Sequence, residues 1–140
     1  VAIASIAVYM LYPRLIARGK VMVDQTSTVK AGSFLNVSGP VRSGRIMQVT
    51  VAVNTGGPVD ILLLSSDDKQ TWDRFAQGYS QSPTYISQGS GLNIRLLHYT
   101  YICSKDDTYY VLVNNGGKIP NGANPTGDVS VSIKAIIEGN

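Results

Sequence analysis

His98 and Cys103 are the only histidine and cysteine in the chain. A thiol nucleophile with a histidine base would need the two side by side. They stand five positions apart in the run LNIRLLHYTYIC, 92–103, which alternates as a strand does. Side chains an odd number apart on a strand point to opposite faces. With one histidine, neither a triad nor a histidine-based zinc site can draw on a second. The acidic pairs Asp67-Asp68 and Asp106-Asp107, with Asp60 near the first, have the oxygen chemistry that calcium takes. Neither pair has the spacing of an acidic calcium loop, and both read as solvated turn residues. No glycine-rich phosphate loop joins a strand to a helix. The residues therefore predict no catalytic residue, no metal site and no cofactor, and a protein that is not an enzyme. His98 reads as a packed or half-exposed strand residue, and Cys103 as a small core residue.

Two further features have chemistry of a milder kind. Asn36, Val37 and Ser38 form an N-glycosylation sequon, and Asn36 is its candidate acceptor. The similar triplet at Asn124 is spoiled by Pro125. Tyrosine is abundant, eight in 140 residues. Tyr99, Tyr101, Tyr109 and Tyr110 fall on two consecutive predicted strands, where they suit aromatic packing across the sheet or an interface between subunits.

Composition narrows the partners. Only 15% of residues are charged, and 12 lysines and arginines against 9 acids leave +3. The basic residues are spread along the chain apart from Arg14, Arg18 and Lys20, so no basic stripe suits nucleic acid. One cysteine excludes an internal disulfide. Low charge with much Gly, Ser, Thr, Asn and Tyr suggests an outer-surface protein.

The elements that position these residues fall into two parts, residues 1–20 and 21–140. Residues 1–12, VAIASIAVYMLY, are uncharged and apolar, and Leu15 and Ile16 continue the run beyond Pro13 and Arg14. A helix to Ala17 would be roughly 25 Å long, slightly short of a hydrocarbon core of roughly 30 Å. Pro13 would kink it, Arg14 and Arg18 would sit at its C-terminal end, and Gly19 would stop it. Apolar residues all round imply burial in lipid or in a bundle. Val1, Ile3, Ile6, Val8, Met10, Leu11, Leu15 and Ile16 are the expected assembly or membrane residues. Opening directly in this run, the chain reads as having a processed N-terminus.

Beyond Lys20 the period shortens to two. Residues 45–53, 58–64, 92–103, 107–114 and 128–137 read as strands, with shorter candidates at 21–26, 34–38 and 82–88. Residues 65–91 read as a loop excursion pinned by Trp72, Phe75, Tyr79 and Tyr85, with one edge strand. The segment 115–127 is a surface loop by its turn residues. About eight short strands with turns between them predict an antiparallel, jelly-roll-like β-sandwich. The expected fold class is thus mainly β, an N-terminal hydrophobic α-helix followed by that sandwich.

The stretches VDILLLSSDDKQTW, TYYVLVNNGG and NPTGDVSVSIKAII resemble the GOLD-like, emp24-type β-sandwich domains of membrane-anchored secretory proteins. That resemblance implies binding and assembly, with no catalytic residue. A chain that opens on a hydrophobic helix and continues into an all-β head is similar to archaeal type IV pilins and related filament subunits. Ser5 stands where bacterial pilins usually carry an acid, and the apolar run is short for that family. The pilin resemblance implies an extracellular, pilus-like adhesion filament, a homopolymer with helices in its core and β heads outside. Its partners are then copies of itself and, before assembly, the membrane, with no nucleic acid. The alternatives are a membrane-anchored extracellular binding module, or a fibre in which residues 1–12 are donated as a strand to the next subunit.

Overall fold

The computed structural model describes residues 19–139. Eight strands follow in chain order: β1 (Lys20–Val29), β2 (Phe34–Val41), β3 (Ile46–Thr55), β4 (Val59–Leu64), β5 (Ile86–Ile94), β6 (Leu96–Ile102), β7 (Asp107–Asn114) and β8 (Val129–Glu138). One helix, α1 (Ser66–Ala76), lies between β4 and β5. The strands form two four-stranded sheets, β1-β8-β3-β6 and β2-β7-β4-β5. Every pairing is antiparallel. Eight strands ordered in this way in two sheets make a jelly roll.

Alternation explains the first sheet. In β3, Met47, Val49, Val51 and Val53 are buried, while Gln48, Thr50 and Ala52 are half-buried on the other side. β8 repeats the pattern with Val129, Val131, Ile133 and Ala135. These side chains meet Val59, Ile61, Leu63, Tyr109, Val111 and Val113 of the second sheet in one core. Each fully buried Val or Leu contributes about 1.5–3 kcal/mol, so this layer dominates the stability of the sandwich.

The second sheet is covered on its outer face as well. β4 is buried at all six positions. Leu62, Leu64 and Leu112 point away from the core, and Trp72 and Phe75 of α1 pack over them. The helix starts where Ser65 and Asp68 form a capping box. The Asp68 N–H donates to Ser65 Oγ at 3.2 Å, and the Ser65 N–H donates to Asp68 Oδ2 at 3.1 Å. Asp67 and Asp68 in the first turn complement the helix dipole. Lys69 and Asp73 pair at 2.6 Å, one turn apart.

The expected fold class needs correction. The sequence predicts a hydrophobic helix before the sandwich and none within it. Among the described residues the single helix is α1, short and amphipathic, and no helix is long and apolar enough to cross a membrane. The fold is a two-sheet sandwich with one short inserted helix. Residues 1–18 lie outside the described residues, and with them the Pro13 kink and the assembly residues Val1, Ile3, Ile6, Val8, Met10, Leu11, Leu15 and Ile16.

Two local expectations also change. Residues 66–76 are helical because the capping box, the Lys69–Asp73 pair and the Trp72–Phe75 spacing agree, although the segment is polar overall. The single strand expected over 92–103 is broken at Arg95. β5 belongs to the second sheet and β6 to the first. The crossing follows Asn93, held at φ +57, a left-handed conformation that Asn tolerates. Tyr101 and Tyr109 therefore do not pair within one sheet. Their rings meet across the sandwich, 6.0 Å between centroids.

Ser65→Ala should lower stability by about 1 kcal/mol through loss of the helix cap. Denaturant unfolding should show a lower midpoint with an unchanged slope.

Candidate functional site

The residue that organises the outer face of the second sheet is an acid. Asp60 lies on β4 among apolar neighbours and is fully buried. It is opposite Asn114 in the β4–β7 register, and the 115–127 loop folds back over both. Asp60 Oδ1 accepts the N–H of Asn93 at 2.9 Å and the N–H of Ala123 at 2.8 Å. Asn114 Nδ2 makes a longer contact to Oδ2 at 3.5 Å. The described residues contain no ion pair to Asp60. A carboxyl taken out of water without partners costs several kcal/mol, and here main-chain dipoles offset that cost.

The two asparagines extend the tie. Asn114 donates to Gly117 O at 3.0 Å and accepts the Gly116 N–H at 3.0 Å. Asn115 donates to Val29 O at 3.0 Å and to Gly127 O at 2.9 Å. Gly122 must be glycine, because a Cβ there would come within 2.7 Å of Asp60 Oδ2 and 2.9 Å of Ile119 O. The loop is therefore held at both ends and in the middle. Its Ile119 is buried against Leu62, Leu64 and Leu112.

So anchored, the loop borders a cleft of about 510 Å³. Tyr85, Leu92 and Ile119, with Pro83 and Pro120, give it apolar walls. Ser82, Thr84 and Asn121 supply polar groups. No lining side chain is charged. The far wall is fixed by α1: Thr84 Oγ1 donates to Asp68 Oδ1 at 2.8 Å and lies 2.6 Å from Thr71 Oγ1. Asp68 thus caps the helix and holds the cleft. Asn121 sits at φ +64. On the other side of the loop, Phe34, Trp72, Phe75 and Asn114 line a cavity of about 100 Å³. The Trp72 ring lies edge-on to Phe34, 5.1 Å between centroids, and its buried indole N–H has no hydrogen-bond partner among the described residues.

The residues singled out from the sequence are scattered by comparison. His98 is exposed on the outer face of the first sheet, its Nδ1 2.6 Å from Thr50 Oγ1. Cys103 is buried on the opposite side, just past β6. Burial pushes its thiol pKa up, against the hydrogen bond to Tyr109; a nucleophilic cysteine needs the reverse. Burial also raises the Tyr99 phenol well above its ordinary value and Tyr109 to about 12, with Cys103 acting in the same direction on both. Asn36 is half-buried in the edge strand β2.

Asp106 and Asp107 serve as loop ties, while Asp67 and Asp68 lie in the first turn of α1. Asp107 accepts Ser66 Oγ at 2.6 Å, the Ser66 N–H at 3.2 Å and the Thr108 N–H at 2.9 Å. Burial opposes its ionisation, but the Ser66 and Thr108 bonds, with Lys105, outweigh it and hold its pKa below the ordinary value. Asp106 accepts the Ser43 N–H at 2.7 Å. Among the described residues no three His, Cys, Asp or Glu side chains converge as a metal site would require.

No family model matches the chain, and no curated protein matches it. Solved structures do. The periplasmic lysozyme inhibitor of g-type lysozyme from Aeromonas hydrophila, PliG, superposes with a TM-score of 0.54 at 11% identity, over 83% of this chain and 85% of that one. A carbohydrate-binding module of family CBM36, solved with calcium and xylotriose, gives 0.36 at 12% identity, covering 86% of this chain and 95% of that one. A family two carbohydrate esterase from Cellvibrio japonicus gives 0.36 at 13% identity, covering 87% of this chain and 31% of that one. The first likeness shows a shared two-sheet sandwich fold.

Asp60→Ala should cost about 2–4 kcal/mol, since it leaves buried N–H groups unsatisfied. Hydrogen exchange should rise at Ala123 and Asn93 before it rises in β3. A second expectation concerns acid. Asp107 contributes stability above the ordinary value of 3.8, and that contribution is lost as pH falls from there through the lower native value. Asp107→Asn should flatten this limb of the stability profile below pH 3.8, measured by urea unfolding.

Proposed function

We propose that the chain is an extracellular, non-catalytic binding module whose cleft between Tyr85, Leu92 and Asn121 takes a neutral, polyhydroxylated ligand such as a glycan unit. The observation that carries this reading is the lining of the cleft. Its walls combine an aromatic ring and aliphatic side chains with hydroxyl and amide groups, and no charge. The C–H face of a sugar suits the first, and its hydroxyls suit the second. A phosphate or carboxylate would find no cation among the lining side chains. Both walls are tied down before any ligand arrives, by Asp60 on one side and by Asp68 on the other. Prior ordering of this kind reduces what binding must spend on loop entropy.

The low charge of the sequence fits a surface location, and the fold is one that a periplasmic inhibitor also uses. The pilus-like reading rests on residues 1–20 and on a hydrophobic helix followed by a β head, and residues 1–18 lie outside the described residues. The module reading is therefore the one carried forward.

Titration calorimetry against neutral oligosaccharides tests it. Binding to at least one, weakened about tenfold by Tyr85→Ala or Asn121→Ala and unchanged by Thr26→Ala on the first sheet, is the expected result. Failure of every neutral glycan to bind, or equal binding by all three variants, overturns it.

A further inference from the structure

A sheet edge presents unpaired N–H and C=O groups, and proteins guard such edges with charge, proline or bulges. The sandwich has four edges. β1 carries Lys20, Asp24 and a register shift between Val21 and Val23. β2 carries Pro40. β5 shifts register twice against β4. β6 carries none of these devices. It reads LLHYTYI and keeps unbroken register with β3, from Ala52 opposite Leu96 to Ile46 opposite Ile102. Leu96 and Ile102 at its two ends are 63% and 65% exposed.

The direction of its free groups is fixed. Arg95 O accepts from Val53 N, while Cys103 N donates to Arg45 O and Cys103 O accepts from Gly44 N. Bonds to the β3 side thus fall on odd positions, and an antiparallel ladder alternates. The main-chain groups of Leu96, His98, Thr100 and Ile102 consequently face the open side.

We propose that β6 is a self-association edge, which pairs antiparallel with β6 of a second copy about a two-fold axis at Tyr99. In that register Leu96 lies opposite Ile102 of the copy, and His98 opposite Thr100. All four of these positions are the ones whose N–H and C=O groups point outward, so each opposed pair closes both of its hydrogen bonds. The two exposed apolar side chains cover each other at both ends of the strand. An interface made by a two-fold axis must be self-complementary, and this strand is. Charge agrees: an identical copy brings a strip with no Lys, Arg, Asp or Glu, so no like charges from β6 meet.

The first sheet then continues through eight strands across the pair. One strand edge is small beside the roughly 1,200 Å² that a stable interface buries, so the pair is weak and forms where copies are concentrated. The axis runs perpendicular to the joined sheet, so the outer faces of both second sheets, with their clefts, point the same way. The β6 edge belongs to the first sheet and the clefts to the second, so the pairing does not depend on what the clefts bind.

Sedimentation of the full chain in mild detergent, from about 10 µM to about 1 mM, tests the pairing. A monomer–dimer equilibrium is expected, weakened about tenfold by Ile102→Lys and by Thr100→Lys, and unchanged by Thr26→Lys on the β1 edge. Thr100 is an exposed edge position, so that variant reports even if Ile102→Lys impairs folding. Amide exchange should slow with concentration at His98, Thr100 and Ile102. Monomer throughout, or association that survives Thr100→Lys with no concentration-dependent protection in β6, overturns the proposal. The latter outcome would assign association to residues 1–18 or another surface.

Discussion

A single buried carboxyl sets the shape of one whole face of this molecule. Asp60 sits in a strand that is otherwise Val, Ile and Leu, and the dry interior tolerates it only because two main-chain N–H groups reach it. Those groups belong to Asn93 and Ala123, 30 residues apart in sequence. Satisfying one side chain therefore fixes the end of β5 and the middle of the 115–127 loop together. Ile119 is seated as a result, and the cleft acquires its near wall. The inner core is a separate cluster to which no residue of that loop belongs. The acid chooses where the loop goes.

The same division separates what was legible in the sequence from what was not. β3 and β8 could be read because each buries an alternating face against the inner core, and β4 and β7 because each is a short, mostly apolar run bounded by turn residues. Alternation is a local property and survives any tertiary arrangement. The break at Arg95 was not legible. Residues 92–103 keep the pattern of one strand while the chain steps from one sheet to the other, and the step depends on a left-handed Asn93 tied to Asp60. The helix α1 was hidden for another reason. Its mean composition is polar, and its apolar contribution is confined to Trp72 and Phe75, too few to announce a period by themselves. Its signals were the Ser65–Asp68 box and the Lys69–Asp73 spacing, both visible in the sequence but read as loop chemistry.

The candidate cleft was the least legible part. Its lining comes from the stretch before β5, from β5 itself and from the 115–127 loop, and no spacing in the sequence links them. The clue that existed was the acid inside VDILLL. A strand buried on both faces reads as a continuous apolar run, so a carboxyl within it must have partners, and the Asn114-Asn115 pair beside a glycine-rich stretch was the place to look. Adjacency alone gives the acidic pairs the look of an ion site. One pair ties turns to neighbouring elements, Asp107 to Ser66 and Asp106 to Ser43, and the other sits in the first turn of α1.

The anchoring of the loop to Asp60 is made by backbone amides, not by loop side chains. Lys118, Pro120 and Asn121 are exposed and owe their positions to a tie that ignores their identity. At the rim, only the left-handed backbone at Lys118 and Asn121 limits which residues can be exchanged while the framework that presents them stays intact. Such a surface is free to drift toward new ligands at little risk to folding, much as hypervariable loops do on an immunoglobulin frame.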